Sequence, residues 1–265
     1  MFLGKEQIYN PSLSLLERAY VFIFGMPIIG LRIRCRNILS LIPENKNYQR
    51  ILDAGSGSGV LTFAIARKFK QAKVTGFDLN QEEIDISKKI AEKNGYDNIN
   101  FKNIDVETMD NDNCFDLIIC VDILEHIQND ISALNKLYAA LAENGILVLH
   151  VPALYRRYPV FKKHLNFDVP SHVRHGYEID AIETKLIKTG FVIHQIGYTY
   201  GFLETLANNI SYMITGAKKQ NKLLYAFAFP VLNLISMIDS KARPKRLGAG
   251  IYSIIEKKER ETNSE

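Results

Sequence analysis

The residues best placed to do chemistry form one run early in the chain, Asp53-Ala54-Gly55-Ser56-Gly57-Ser58-Gly59. Three glycines at alternate positions let the backbone turn sharply and approach a ligand with no side chain between. Ahead of them Arg50-Ile51-Leu52 reads as a strand, and behind them Leu61, Ile65 and Phe69 have helical spacing. A glycine turn joining a strand to a helix is where nucleotide-like ligands sit in open α/β sheets. No Gly-Lys-Ser/Thr follows, so the P-loop motif is missing, and Val60 stands where a dinucleotide fingerprint places Gly or Ala. Asp53 would repel a pyrophosphate but suits a ligand with a positive end.

Two further carboxylates narrow the ligand. Asp78 closes the next strand-like run, Lys73 to Asp78, about twenty residues beyond the loop, where an acidic side chain can accept from ribose hydroxyls. Asp105 follows Ile99 to Ile104 and can meet the amino group of an adenine ring. A ribose, an adenine and a cationic amino-acid tail together describe S-adenosylmethionine.

With these positions in place, residues 49–199 resemble a class I S-adenosylmethionine-dependent methyltransferase. Asp53 to Gly59 match that family's first motif, Asp78 its ribose position, and Asp105-Val106 its adenine position. The run Cys114-Phe115-Asp116-Leu117-Ile118-Ile119-Cys120-Val121-Asp122-Ile123-Leu124-Glu125-His126 is similar to its fourth-strand motif. The Leu-Glu-His triplet is closest to the branch that includes quinone-biosynthesis O-methyltransferases. The resemblance implies an α/β, Rossmann-like sheet of seven mostly parallel strands, the last antiparallel, with a helical cap. It also implies S-adenosylmethionine as cofactor, held by Asp53, Gly55, Ser56, Gly57, Gly59, Asp78, Leu79, Asp105, Val106, Val121 and Asp122.

In such an enzyme the sulfonium methyl is already an activated electrophile, and the protein supplies mainly alignment, an effect worth ~7–11 kcal/mol. A base is needed only when the acceptor is a hydroxyl or a protonated amine. The candidates are His126 after the fourth strand, His150 at the end of the fifth, and His172 and His175 in Ser171-His172-Val173-Arg174-His175-Gly176-Tyr177. That stretch resembles the family's His-Leu-Arg-His-Tyr segment, which helps to close the pocket, with Gly176 as a departure from it. Tyr155, Arg156, Arg174 and Tyr177 are the expected substrate contacts, the arginines suiting an acidic group. Asp122, Glu125 and His126 could gather round a divalent cation, but no further carboxylate stands near, and no metal is expected.

The elements that must position these residues are legible in outline. Core strands are expected near residues 49–54, 73–78, 98–104, 115–121, 145–151 and 191–199, with 250–256 as the seventh. Helices are expected at 81–95, at about 130–141 and at 178–189. Residues 1–48 read as an N-terminal helical cap, 49–199 as the cofactor-binding core, 200–248 as an insertion, and 249–265 as the last strand and tail. The insertion holds an uncharged run, Leu223 to Ile238, with Lys218, Lys219 and Lys222 before it and Lys241, Arg243, Lys245 and Arg246 after it. That pattern suits a helix lying in an anionic membrane interface. It equally suits a lid over the core or a contact in a homodimer.

Composition sets the outer limits. At 265 residues, 47% hydrophobic and 23% charged, the chain can bury a full core as a globular protein. A net charge of +4, the lack of an extended basic domain and the lack of an Asn/Asp-Pro-Pro-Tyr signature argue against nucleic acid as substrate. Cys35, Cys114 and Cys120 show no paired spacing and read as reduced thiols of a cytoplasmic protein. Tyr20 to Leu31 is too short to span a bilayer. The expected location is therefore cytoplasmic, peripheral at the inner face of the membrane if the insertion binds lipid. The expected activity is methyl transfer, at oxygen, to a hydrophobic small molecule or lipid-linked precursor. A glycan or sugar-nucleotide acceptor is the alternative within enzymes, and a non-catalytic, membrane-associated partner subunit the alternative outside them.

Overall fold

A computed structural model describes residues 3–110, 112–158, 162–166, 169, 171–216, 221–240, 243–244 and 246–257. Lys218, Lys219, Lys241 and Lys245 lie outside these. The central sheet has seven strands: β1 (Arg50–Ala54), β2 (Lys73–Asp78), β3 (Ile99–Asn103), β4 (Phe115–Val121) and β5 (Leu141–Pro152), then β8 (Phe191–Thr199) and β9 (Gly250–Lys257). They lie in the order β3-β2-β1-β4-β5-β9-β8, and β9 runs antiparallel to both its neighbours. A separate hairpin, β6 (Tyr155–Arg157) with β7 (Lys163–Leu165), stands where the sequence suggests only a loop.

The central strands are apolar on both faces because helices cover both, as parallel sheets require. Leu52, Ile118 and Leu147 point into one apolar layer, while Ile51, Leu117 and Ile119 point into the other. Each such side chain, fully buried, contributes about 1.5–3 kcal/mol of transfer free energy. The covering helices are α3 (Val60–Lys68), α4 (Gln81–Lys93), α5 (Asp130–Ala140) and α6 (Ile179–Thr189). Asn80 caps α4, its side-chain oxygen accepting from the amides of Glu82 and Glu83. The fifth strand begins earlier than expected, directly at the end of α5, because Leu141 already pairs with Phe115 of β4.

Four more helices are α1 (Leu15–Phe24), α2 (Ile29–Leu41), α7 (Phe202–Thr215) and α8 (Lys222–Ile238). The later part of α2 packs Cys35, Ile38 and Leu41 into the layer of Ile51 and Leu117, and its first turns join α7 and α8 through Ile29 and Ile33. Ser14 and Glu17 form a reciprocal cap that starts α1. The proline at 230 sits inside α8 and has no amide hydrogen to give the carbonyl of Ala226, one turn earlier. The hydroxyl of Tyr20 on α1 donates to that carbonyl instead, at 2.6 Å. Tyr20 also packs against Phe229, so the proline's defect becomes the contact that joins α1 to α8. Among the described residues, no helix is long and apolar enough to cross a membrane.

Candidate active site

The glycine loop leaves β1 and enters α3 with Gly55, Gly57 and Gly59 all at positive φ, 79°, 48° and 74°. An L side chain rarely adopts that backbone, which is why three glycines are needed here. A Cβ built on Gly57 would meet no heavy atom within 4 Å, so the space above the loop is open. Asp78, at the end of the neighbouring strand, holds the loop: its Oδ2 accepts from the Gly57 amide at 2.7 Å, and its Oδ1 from Asn80 at 2.9 Å. Leu79 beside it is exposed. Asp105 accepts from the Glu107 amide at 2.8 Å in the turn after β3, and Val106 is buried under it in the core. Asp53 is buried at the root of the loop and accepts from the Thr62 hydroxyl at 2.6 Å. Burial pushes its carboxyl up to about 7, against the opposing pull of that hydrogen bond.

A cavity of about 530 Å³ opens over this edge, between the loop, the ends of β4 and β5, and helices α2 and α7. Asp53, Gly55, Ser56, Gly57, Val121, Asp122, His126, His150, Arg156, His172 and His175 all line it. Asp78, Leu79, Asp105 and Val106 lie outside its wall, along the adjoining edge of β2 and β3.

At the centre stands Asp122, on a left-handed backbone with φ 52°. Its Oδ1 bonds His150 Nδ1 at 2.7 Å and its Oδ2 pairs with Arg34 Nε at 3.1 Å. Burial would raise this carboxyl, but Arg34 and His150 outweigh it and hold it at about 2. A carboxylate can only accept, so Nδ1 of His150 carries a proton, while Nε2 lies in hydrogen-bond contact with the Thr199 hydroxyl, at 2.9 Å. Both nitrogens of His150 are thus occupied inside the protein. Arg34 and Thr199 were not among the expected site residues. The only sign of Arg34 in the sequence is the alternation Arg32, Arg34, Arg36 in an apolar helix. The fold sends each arginine to a different partner: Arg32 to the last carbonyl of α1, Arg34 to Asp122, Arg36 to α8.

A second cluster forms where the short turn after β4 meets the segment before α6. His126 Nδ1 faces the carbonyl of Ser171 at 3.0 Å, and its ring meets that of His172 edge-on, with centroids 4.6 Å apart. Donor atoms of Glu125, His126 and His172 lie within 4.8 Å of one another, a set that could hold a metal ion. This differs from the expected grouping, because Asp122 is committed to Arg34 and His150 and His172 takes its place. Both carboxylate oxygens of Glu125 are buried without a hydrogen-bond partner. Burial, with the charge of Asp122 nearby, pushes this acid up to about 9.

Three expected substrate contacts are placed elsewhere. Tyr177 is buried, donating to Asp130 at 2.8 Å, and Arg174 donates to the carbonyls of Leu124 and Gln128 and pairs with Asp130. Together they brace the turn that carries Glu125 and His126. Tyr155 lies in β6 under the Lys163 ammonium, 4.0 Å from the ring centre. Arg156 does reach the cavity wall, bonded to Asn209. Gly176, the departure from the familiar segment, has a local cause: at φ 148° a Cβ would lie 2.6 Å from the Pro152 carbonyl.

Comparison with known proteins agrees with this geometry. Residues 45–196 match the model of a family described as a methyltransferase domain. A ubiquinone biosynthesis O-methyltransferase of Actinobacillus pleuropneumoniae is 33% identical over 105 residues, 37% of this chain and 44% of that protein. A probable (S)-tetrahydroprotoberberine N-methyltransferase of Papaver bracteatum is 33% identical over 102 residues, 38% of this chain and 28% of that protein. The matched part of this chain thus spans less than half the length of either relative. In fold, it is similar to a phosphoethanolamine N-methyltransferase of Haemonchus contortus solved with S-adenosylmethionine (TM-score 0.64, 17% identity, 97% of this chain and 60% of that one). It is also similar to the cyclase SpnF (TM-score 0.59, 16% identity, 97% and 98%), so this fold by itself does not name a reaction. The family model covers more than half of the sequence, including the loop, Asp78, Asp122 and the paired histidines, and the chain belongs to the methyltransferase-domain family.

Proposed function

We propose that the protein transfers a methyl group from S-adenosylmethionine to an oxygen of a hydrophobic small molecule or lipid-linked precursor. The observation that carries the donor is the open, side-chain-free space over Gly57, flanked by two carboxylates, Asp53 and Asp78. The residues present suit this donor. Asp53, held at about 7 by burial, would remain ionised beside an ammonium group. Asp78 keeps lone pairs for ribose hydroxyls after serving the loop. Leu79, Asp105 and Val106 would face the adenine, and Val121 and Asp122 the methionine end. When bound, S-adenosylmethionine supplies a methyl group already activated on a positively charged sulfur.

What remains for the chain is to orient the acceptor and to take its proton. His126 suits the second task. Its Nδ1 faces a carbonyl and so carries the hydrogen, which leaves Nε2 as the basic nitrogen. His172 and His175 line the cavity beside it. His150 positions Asp122 and takes no proton from substrate, because its nitrogens are occupied. Oxygen as the acceptor atom is supported by this histidine group and by the O-methyltransferase among the relatives. A hydrophobic acceptor is supported by the apolar part of the cavity lining, Leu31, Val121, Ile123, Val169 and Tyr212 among it. The three unpaired cysteines accord with a cytoplasmic, reducing setting.

Calorimetric titration with S-adenosylmethionine and with its demethylated product tests this reading. Saturable binding of both is expected, and no detectable heat at millimolar ligand would sink the catalytic proposal.

A further inference from the structure

Helix α8 is apolar on two sides. Its inner face packs Phe229 and Leu232 into a core cluster with Ile29, Ile33 and Ala207, and there Asn233 and Ser236 accept from the Arg36 guanidinium, at 3.2 and 2.7 Å. Leu223, Phe227, Val231, Leu234 and Ile238 recur at helical spacing on its outer face, each more than half exposed. A surface helix in water normally carries polar residues on that outer face. Here the second apolar stripe has no cover within the chain's described residues.

Helix α1, joined to α8 through Tyr20, repeats the pattern. Leu15, Leu16, Phe22 and Ile23 form its outer stripe and are 83%, 84%, 62% and 55% exposed. An apolar cleft of about 350 Å³ lies between the two helices, lined in part by Leu16, Tyr20, Tyr225 and Ala226. Isolated exposed leucines need no explanation, but two adjoining helices with outward apolar stripes do.

The charges nearby choose the partner. From Thr205 to Ile238 the sequence has no Asp or Glu, while Lys218, Lys219 and Lys222 precede the apolar run and Lys241, Arg243, Lys245 and Arg246 follow it. Of these, Lys222 and Arg246 are described and exposed, with Glu17 of α1 near Lys222, while Arg243 is half-buried and donates to Asn37 and Ser40. A twofold contact with a second copy would set the net positive charge of this sequence stretch against itself. An anionic bilayer would neutralise it while taking up the leucines and phenylalanines. At seventeen residues, α8 would lie in the interface and not span it.

We infer that the outer faces of α1 and α8 form a docking surface for an anionic lipid bilayer. This surface is independent of the methyl-transfer reading and is tested without a methyl acceptor.

The test is flotation of the full chain with vesicles of phosphatidylcholine alone or with phosphatidylglycerol. Wild type should float with the anionic vesicles at low salt and several-fold less at high salt. Phe227→Glu and Leu234→Glu should each reduce the bound fraction at least tenfold, with far-UV circular dichroism unchanged. The chain has no tryptophan, so Phe227→Trp places a single reporter on the surface and leaves the apolar face intact. Its emission should move to the blue on adding anionic vesicles. Wild type that stays down at low salt, charge variants that float undiminished, or an unmoved reporter would each overturn the proposal. So would a dimer that ignores vesicles and dissociates on Phe227→Glu, which would give the face to a second copy. Donor binding by calorimetry is a separate readout, so failure of the methyl-transfer reading leaves this result intact.

Discussion

Arg34 of α2 and Asp122 at the end of β4 are joined by an ion pair of 3.1 Å across the wall of the cavity. The pair ties the N-terminal helices to the site, since α2 carries the arginine and the sheet carries the acid. It also holds Asp122 charged where a buried carboxyl would otherwise tend to protonate.

Arg34→Met should cost about 1–2 kcal/mol in urea unfolding at pH 7. That is less than for a fully buried pair, because the arginine side chain is 33% exposed. The sign with pH follows from the depressed carboxyl. Asp122 falls from an ordinary 3.8 to about 2 in the folded protein. The stabilisation is therefore complete above about pH 4 and fades as pH drops towards 2. A difference between wild type and variant that stayed constant down to pH 2 would refute the assignment.

Asp53 works in the opposite sense. Its folded value of about 7 lies above the ordinary 3.8, so it costs nothing at pH 3 and destabilises progressively up to about pH 7. Asp53→Asn should raise the melting temperature of the ligand-free protein by several degrees at pH 8, with the gain shrinking as pH falls to 4. The same variant should lose donor affinity. Scanning calorimetry across pH checks the first expectation and titration the second; an equal gain at pH 4 and 8 would be inconsistent with a buried titrating acid.

Removing the loop's anchor should affect binding more than folding. Asp78→Ala takes away the acceptor of the Gly57 amide and the proposed ribose contact, and charge-assisted bonds of this kind are worth about 1.5–3 kcal/mol. Donor affinity should fall about 10- to 100-fold by titration. An unchanged affinity would remove Asp78 from the donor site.

The join between α1 and α8 can be measured as a coupling. Tyr20→Phe leaves the Ala226 carbonyl without its donor and should cost about 1 kcal/mol. In a Pro230→Ala background the helix can supply its own amide to that carbonyl, and the same substitution should cost much less. A double-mutant cycle in urea reads the difference; additive effects would mean that the hydroxyl does not answer the proline's defect.

Much of the fold is legible in the sequence because its signals are local. Alternating glycines at 55, 57 and 59 require a turn with positive φ, and the apolar runs around Ile51, Leu117 and Leu147 require strands covered on both faces. Asn80 before an amphipathic run announces the start of α4. The loop and the acids at 53, 78 and 105, at or just beyond the ends of their strands, are therefore legible through residue type and spacing. The hairpin β6–β7 is not legible in this way, since three-residue strands leave too short a pattern to tell from a loop.

By itself, then, the sequence determined the seven strands of the central sheet, the helices between them, the glycine loop and the acids that follow its strands, because each depends on neighbours a few residues away. Only the tertiary structure decided what those groups are paired with. It took Asp122 out of the expected grouping with Glu125 and His126 and gave it Arg34, 88 positions earlier in the chain. It set His172 beside His126, and it turned Arg174 and Tyr177 away from the cavity to brace Asp130. It also chose which side of α8 faces water. The helix is apolar on both sides; the fold buries the one that brings Phe229 and Leu232 to Ile29, Ile33 and Ala207 and Asn233 and Ser236 to Arg36, and leaves Phe227, Val231 and Leu234 outside.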